Sequence, residues 1–147
     1  MSTTLVPFKV ALLAALEARE ALEGVSIEYA FNGDQTPADR IFLDNDVDSD
    51  TLLQSMRGEG PKPRDEEYVV GVTVETYRPG LTAQEAETRV TAWLAELDAV
   101  LASAPNFGVT NVLWAVLKAG SFVTGKHDRG YASRYEAAIQ VKTRLRT

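Results

Sequence analysis

"EEYVVGVTVETY", residues 66–77, sets Tyr68, Val70, Val72 and Val74 on one side of a two-residue repeat and Val69, Gly71, Thr73 and Glu75 on the other. Successive side chains turn to opposite faces only in a strand, so the segment predicts a β-strand with one apolar face. The residues that follow change period. "PGLTAQEAETRVTAWLAELDAVLASAPNFG", residues 79–108, lays Ala86, Val90, Trp93, Leu94, Leu97, Val100 and Leu101 along one helical stripe, with Thr82 and Glu85 in capping-box spacing at its start. Pro105 and Gly108 stop that helix. A strand with one apolar face beside a helix with one apolar stripe predicts two packed layers, and the rest of the chain adds to that pair.

Upstream, Pro7 sits where a first-turn proline is tolerated, and Val10, Leu13, Ala14, Leu16, Ala21 and Leu22 keep helical spacing up to Gly24, predicting a helix from about Thr4 to Glu23. "VSIEYAF", 25–31, alternates and runs into Asn32-Gly33-Asp34, a strand followed by a turn, and "DRIFLD", 39–44, is a second, shorter strand. Residues 44–65 are rich in Asp, Gly, Pro and charge around an apolar island, "TLLQSM", and read as a long loop or arm. Downstream, "VLWAVLKAGSF", 112–122, is strand-like, and "YEAAIQVKTRLR", 135–146, alternates Ile139, Val141, Thr143 and Leu145 against Gln140, Lys142, Arg144 and Arg146. Burying Ile139, Val141 and Leu145 contributes about 1.5–3 kcal/mol each, which puts that face on the core and leaves the basic face to solvent or a partner. The order is α-β-β-(long loop)-β-α-β-β. It predicts one α+β domain over residues 1–147, a two-layer sandwich whose mixed, mostly antiparallel sheet carries two main helices on one face.

A chain of 147 residues supports one core. It has no cysteine, which excludes disulfides, zinc–thiolate and iron–sulfur centres and thiol nucleophiles. The N-terminal apolar positions are interrupted by Lys9, Glu17, Arg19 and Glu20 and lack a basic leader, so a secretory signal is not expected, and no apolar run reaches membrane-span length. The expectation is folding in a cytoplasm, with no membrane partner. The net charge of −6 is uneven: from Lys118 onward seven Lys and Arg face Asp128 and Glu136, a segment of +5 against −11 for the rest. An acidic body with a basic end suits docking between copies.

Catalytic chemistry finds no set of residues. The one histidine, His127, lies in "TGKHDRG", read as an exposed loop, and no nucleophile elbow accompanies it. "GEGPKPR", 58–64, has Pro63 where a dinucleotide loop needs glycine. Neither an enzyme nor a cofactor is expected. "DNDVDSD", 44–50, begins like a calcium loop, with Asp44, Asp46, Asp48 and Asp50 at the first, third, fifth and seventh positions. The sixth position needs glycine and is Ser49, and the twelfth needs glutamate and is Ser55, so a solvated acidic loop is favoured over a cation site. The basic face near Tyr131 and Tyr135 suggests nucleic-acid contact, but the chain is acidic overall, and an edge strand protected by lysine and arginine, or a protein partner, fits better.

"LEGVSIEYAF", "RDEEYVVGVTVETY", "AETRVTAWLAELDAVLASAP" and "YEAAIQVKTRL", in their order around a long polar loop, resemble the tail terminator proteins of long-tailed bacteriophages, the U-like minor tail proteins. The resemblance implies a structural virion protein at the head-proximal end of the tail, made in the host cytoplasm. It implies a homohexameric ring that caps the tail tube, stops its polymerisation and offers its other face for head–tail joining. The partners implied are further copies of the chain, the tail tube protein and a head–tail connector or neck protein, with DNA passing through the channel unbound. Interface candidates are Asp44, Asp46, Asp48, Asp50, Arg57, Lys62 and Arg64 of the arm, and Lys142, Arg144 and Arg146 of the last strand. Other readings are another neck or connector subunit, or a cytosolic α+β domain that binds a small molecule between helices and sheet.

Overall fold

A computed structural model describes residues 4–31, 39–48, 64–103, 107–127 and 129–145. Its elements are α1 (Leu5–Glu17), a 3-10 turn (Glu20–Leu22), β1 (Ser26–Glu28), β2 (Arg40–Asp48), β3 (Arg64–Tyr77), α2 (Ala83–Ser103), β4 (Val112–His127) and β5 (Gly130–Leu145). This is the element order expected from the alternation of periods. The strands form one five-stranded sheet in the order β1-β2-β3-β5-β4, parallel between β1 and β2 and antiparallel elsewhere. The fold is therefore an α+β two-layer sandwich with a mixed, mostly antiparallel sheet.

The apolar face of β3 decides the packing. Tyr68, Val70, Val72 and Val74 are buried beside Ile139 and Val141 of β5, and Val90, Trp93, Leu97, Val100 and Leu101 of α2 close over them. At the start of α2, Glu85 N–H donates to Thr82 Oγ1 at 3.1 Å and Thr82 N–H reaches Glu85 Oε1 at 3.4 Å, the reciprocal pair that their spacing predicted. α1 enters the same layer through Phe8, Leu12 and Leu16, all fully buried. Phe8 meets Tyr68 and Phe107 edge-on at ring centroid distances of 6.3 and 5.6 Å, and Thr4 Oγ1 lies 2.9 Å from the Tyr68 hydroxyl.

Asp39, just before β2, is the polar counterpart of this core. Its carboxylate accepts from Thr76 Oγ1 at 2.6 Å and from Arg89 Nη2 at 2.6 Å, and it pairs with Arg78. One side chain thereby ties the entry of β2 to the end of β3 and to α2.

Several boundaries differ from expectation, and of the expected strand 25–31 only Ser26–Glu28 forms β1. α1 stops at Glu17: Arg19 takes an extended conformation and reaches Glu96 of α2 at 2.6 Å, and the chain resumes as the 3-10 turn before Gly24, whose φ of 87° favours glycine. β2 runs on to Asp48 through a register shift between Leu43 and Val47, and β3 opens at Arg64, so both ends of the 44–65 stretch belong to the sheet. Its remainder, 49–63, lies outside the described residues. β4 continues to His127, which ends a strand.

The place of β5 in the sheet overturns a reading. β5 is not an edge: β3 flanks it from Arg64↔Leu145 to Tyr77↔Ala132, and β4 flanks it on the other side. Its lysine and arginine therefore do not guard an edge, and that place belongs to β4. The β4–β5 pairing shifts between Lys118 and Ser121, where a Cβ on Gly120 would overlap the Glu136 carbonyl and the Gly120 N–H donates to the Tyr135 hydroxyl at 2.8 Å. Only glycine fits this bulge.

Candidate functional site: the sheet face opposite the helices

Directly paired residues in an antiparallel ladder project to the same side, so register assigns the face that α1 and α2 leave open. Arg40, Glu75, Arg134 and Val123 form one row across β2, β3, β5 and β4, and Phe42, Thr73, Glu136 and Ser121 form the next. Charge alternates along the first row. Glu75 receives Arg40 Nε at 2.5 Å on one carboxylate oxygen and Arg134 Nε at 3.0 Å on the other, while Arg134 Nη1 lies 3.6 Å from Glu136. Phe31 covers the β2 end, its ring 5.3 Å from that of Phe42 and its centroid 5.3 Å from the Arg40 guanidinium.

Toward the β4–β5 turn, Tyr77 meets His127 edge-on at 4.9 Å, and Val123 is 63% exposed. These residues and the charged row line an open concavity of about 560 Å³. It lies on the side of the sheet away from the helices. The space between helices and sheet, where a ligand pocket was one expectation, holds the close-packed core. The concavity sets two guanidiniums against two carboxylates beside an aromatic and aliphatic rim. This balanced surface suits contact with another polypeptide.

The Glu75 pairing has a measurable weight. Arg40 and Glu75 are both about nine-tenths buried, so Glu75→Gln leaves the Arg40 charge with a neutral acceptor. The expected loss is about 1–3 kcal/mol of unfolding free energy, read as a lower urea midpoint at unchanged m-value. A midpoint equal to wild type would show that water already solvates Arg40.

The residues singled out from sequence are dispersed. Asp44 lies on β2 with its carboxylate over Gly71, where a Cβ would overlap it. Asp46 and Asp48 belong to the same strand, and Arg64 opens β3 opposite Leu145. Lys142 pairs with Glu67 at 3.7 Å, and Arg144, exposed, donates its backbone N–H to the Asn111 carbonyl at 2.7 Å. Asp50, Arg57, Lys62 and Arg146 lie outside the described residues. Asp44 and Lys142 sit on β2 and β5, with β3 between them.

The strand also bears on the calcium comparison. Same-side residues of an extended strand are about 6.5–7 Å apart, whereas a calcium loop wraps so that its oxygens converge at about 2.3–2.6 Å from one ion. The backbone of 44–48 stays within β2, with a register shift between Leu43 and Val47, and does not close into a loop. The ionic row of Arg40, Glu75 and Arg134 carried no local signal, because its members are 35 and 59 residues apart and meet only through strand register.

No protein-family model matches the chain, and no curated protein sequence matches it. Among solved structures, a chain from the virion of a native gene transfer agent particle superposes with a TM-score of 0.62 at 14% identity, covering 98% of this chain and 100% of that one. At that identity the likeness concerns the fold, and it runs the full length of both chains.

Proposed function

We propose that the chain is a structural subunit of a phage-like virion and acts as a tail terminator: a homohexameric ring that caps the tail tube, ends its polymerisation and presents the surface for head–tail joining. The observation that carries this reading is the end-to-end fold likeness to a chain of a gene transfer agent virion. The element order and the quoted segments that resemble tail terminators point the same way. A ring of identical subunits ends a tube when one of its faces is complementary to the tube and the other is not, so no further tube subunit can add. That work needs surfaces and no catalytic group. The balanced charges and exposed aliphatic side chains of the open sheet face supply material for such contacts.

The test is polymerisation of the tail tube protein from the same virion with and without this chain. The expected result is shortened tubes bearing a six-fold ring at one end by negative-stain electron microscopy. Tubes of unchanged length with bare ends would overturn the proposal.

The concavity beside Tyr77 and His127 favours a second reading, a small-molecule-binding domain, since its volume of about 560 Å³ falls in the range of ligand pockets. Its charged groups already satisfy one another, which weakens that reading. Saturable binding of a small ligand, lost in Tyr77→Ala, would support it.

A further inference from the structure

The exposed large apolar side chains among the described residues fall into two groups. Leu113, Val116, Phe122 and Val123 all lie on β4. Val6, Val10 and Tyr29 lie on α1 and just beyond β1. β4 forms one edge of the sheet and β1 the other, four strand spacings or roughly 19 Å apart. α1 belongs to the β1 side, because it packs on β1 and its Lys9 ammonium sits 4.0 Å from the centroid of the Tyr29 ring. Val6 and Val10, one turn apart, face outward on the same stripe. Exposed apolar side chains thus flank β4 on both faces of one sheet edge, Val116 and Val123 on the open face and Phe122 on the helix side, and others lie near the opposite edge.

Charge differs between the two edges. β4 holds exposed Lys118 and Lys126 and neither aspartate nor glutamate. The opposite edge is approached through Glu17, Glu20 and Glu23, all exposed. A long edge strand with several exposed apolar residues is a pairing template that folded proteins ordinarily blunt or cover.

We infer that the outer edge of β4 docks against the α1–β1 edge of a second copy of this chain, aliphatic side on aliphatic side and lysines toward glutamates. This is a heterologous contact, and its repetition generates a ring when the rotation closes and an open row when it does not. A symmetric β4-to-β4 pairing is disfavoured, because it would bring the lysines of one copy toward those of the other. The inference rests on the ring reading above and deepens it by assigning the contact. It moves that contact from Lys142 and Arg144, which belong to a central strand, to the sheet edges.

The chain lacks cysteine, so two single variants report on the contact without background: Val10→Cys for the α1 edge and Val123→Cys for the β4 edge. Both positions are exposed, so neither change disturbs the core. With a short bis-maleimide, an equimolar mixture should yield covalent dimer at least about tenfold faster than either variant alone, because docking holds the two thiols at high effective concentration. The chain carrying both substitutions should give a ladder of higher species. Equal rates in the mixture and the single variants would overturn the inference, as would fastest reaction of Val123→Cys with itself. Sedimentation of the wild-type chain separates this contact from the ring reading. Rings without mixed cross-linking sink the contact alone, mixed cross-linking into open rows sinks the ring alone, and the absence of both sinks both.

Discussion

Asp39→Ala lowers the unfolding free energy by about 3 kcal/mol, at the lower end of the cost of breaking a buried ion pair. The Asp39 side chain is 2% exposed and gathers Arg89, Arg78 and the buried Thr76 hydroxyl around one carboxylate. Removing it leaves the Thr76 proton without its carboxylate acceptor, and leaves Arg89, one-third exposed, with the Thr76 oxygen at 3.3 Å and water at the end of the sheet. Arg78 is 55% exposed, so Arg78→Ala should cost no more than about 1 kcal/mol. The asymmetry between the two variants is the informative quantity, read from urea midpoints with a common m-value. Equal, small losses in both would mean that the junction of β2, β3 and α2 is held by packing alone.

Phe8→Ala is expected to cost about 3–5 kcal/mol, since it deletes a fully buried aromatic ring and leaves a cavity between Tyr68 and Phe107. α1 is fixed to the core by the narrow stripe of Phe8, Leu12 and Leu16, so the loss should concentrate in that helix. Hydrogen exchange should show α1 amides losing protection before those of β3 and β5. Val10→Ala, two residues away but exposed, should stay within about 0.5 kcal/mol of wild type. Uniform loss of protection across the sheet in Phe8→Ala would show that α1 and the sheet open as one unit.

Where a pattern is local, the sequence carried it. The two-residue repeat of β3 and of Ile139, Val141 and Thr143 identified buried faces, and Thr82 with Glu85 located the start of α2 to the residue. Strand order was not legible, because a period of two says which side of a strand is apolar and nothing about its neighbours. Lys142 and Arg144 looked like protection of an edge, yet Lys142 pairs with Glu67 on the adjoining strand inside the sheet. The same blindness hid the row of Arg40, Glu75 and Arg134, ordinary surface charges until register places them side by side. Asp39 carried no mark of its own either. Its burial follows from two arginines that approach from β3's end and from α2. The aspartates of 44–48 misled in the other direction, since a dense acidic spelling suggested a loop where β2 runs on, shifts register after Leu43 and pairs with β3 again at Val47 and Asp48.

The insertion of β5 between β3 and β4 sets a time order on the chain as it is made. Among the described residues β4 pairs with β5 alone, and it is synthesised first. Until the ribosome has released β5, β4 has no ladder to join, and the edge assigned to subunit docking does not exist as a rigid surface. With the docking contact inferred above, nascent chains on neighbouring ribosomes would thereby be kept from linking to one another. On that inference, competence to assemble would arrive only once β5 has been threaded into the middle of the sheet.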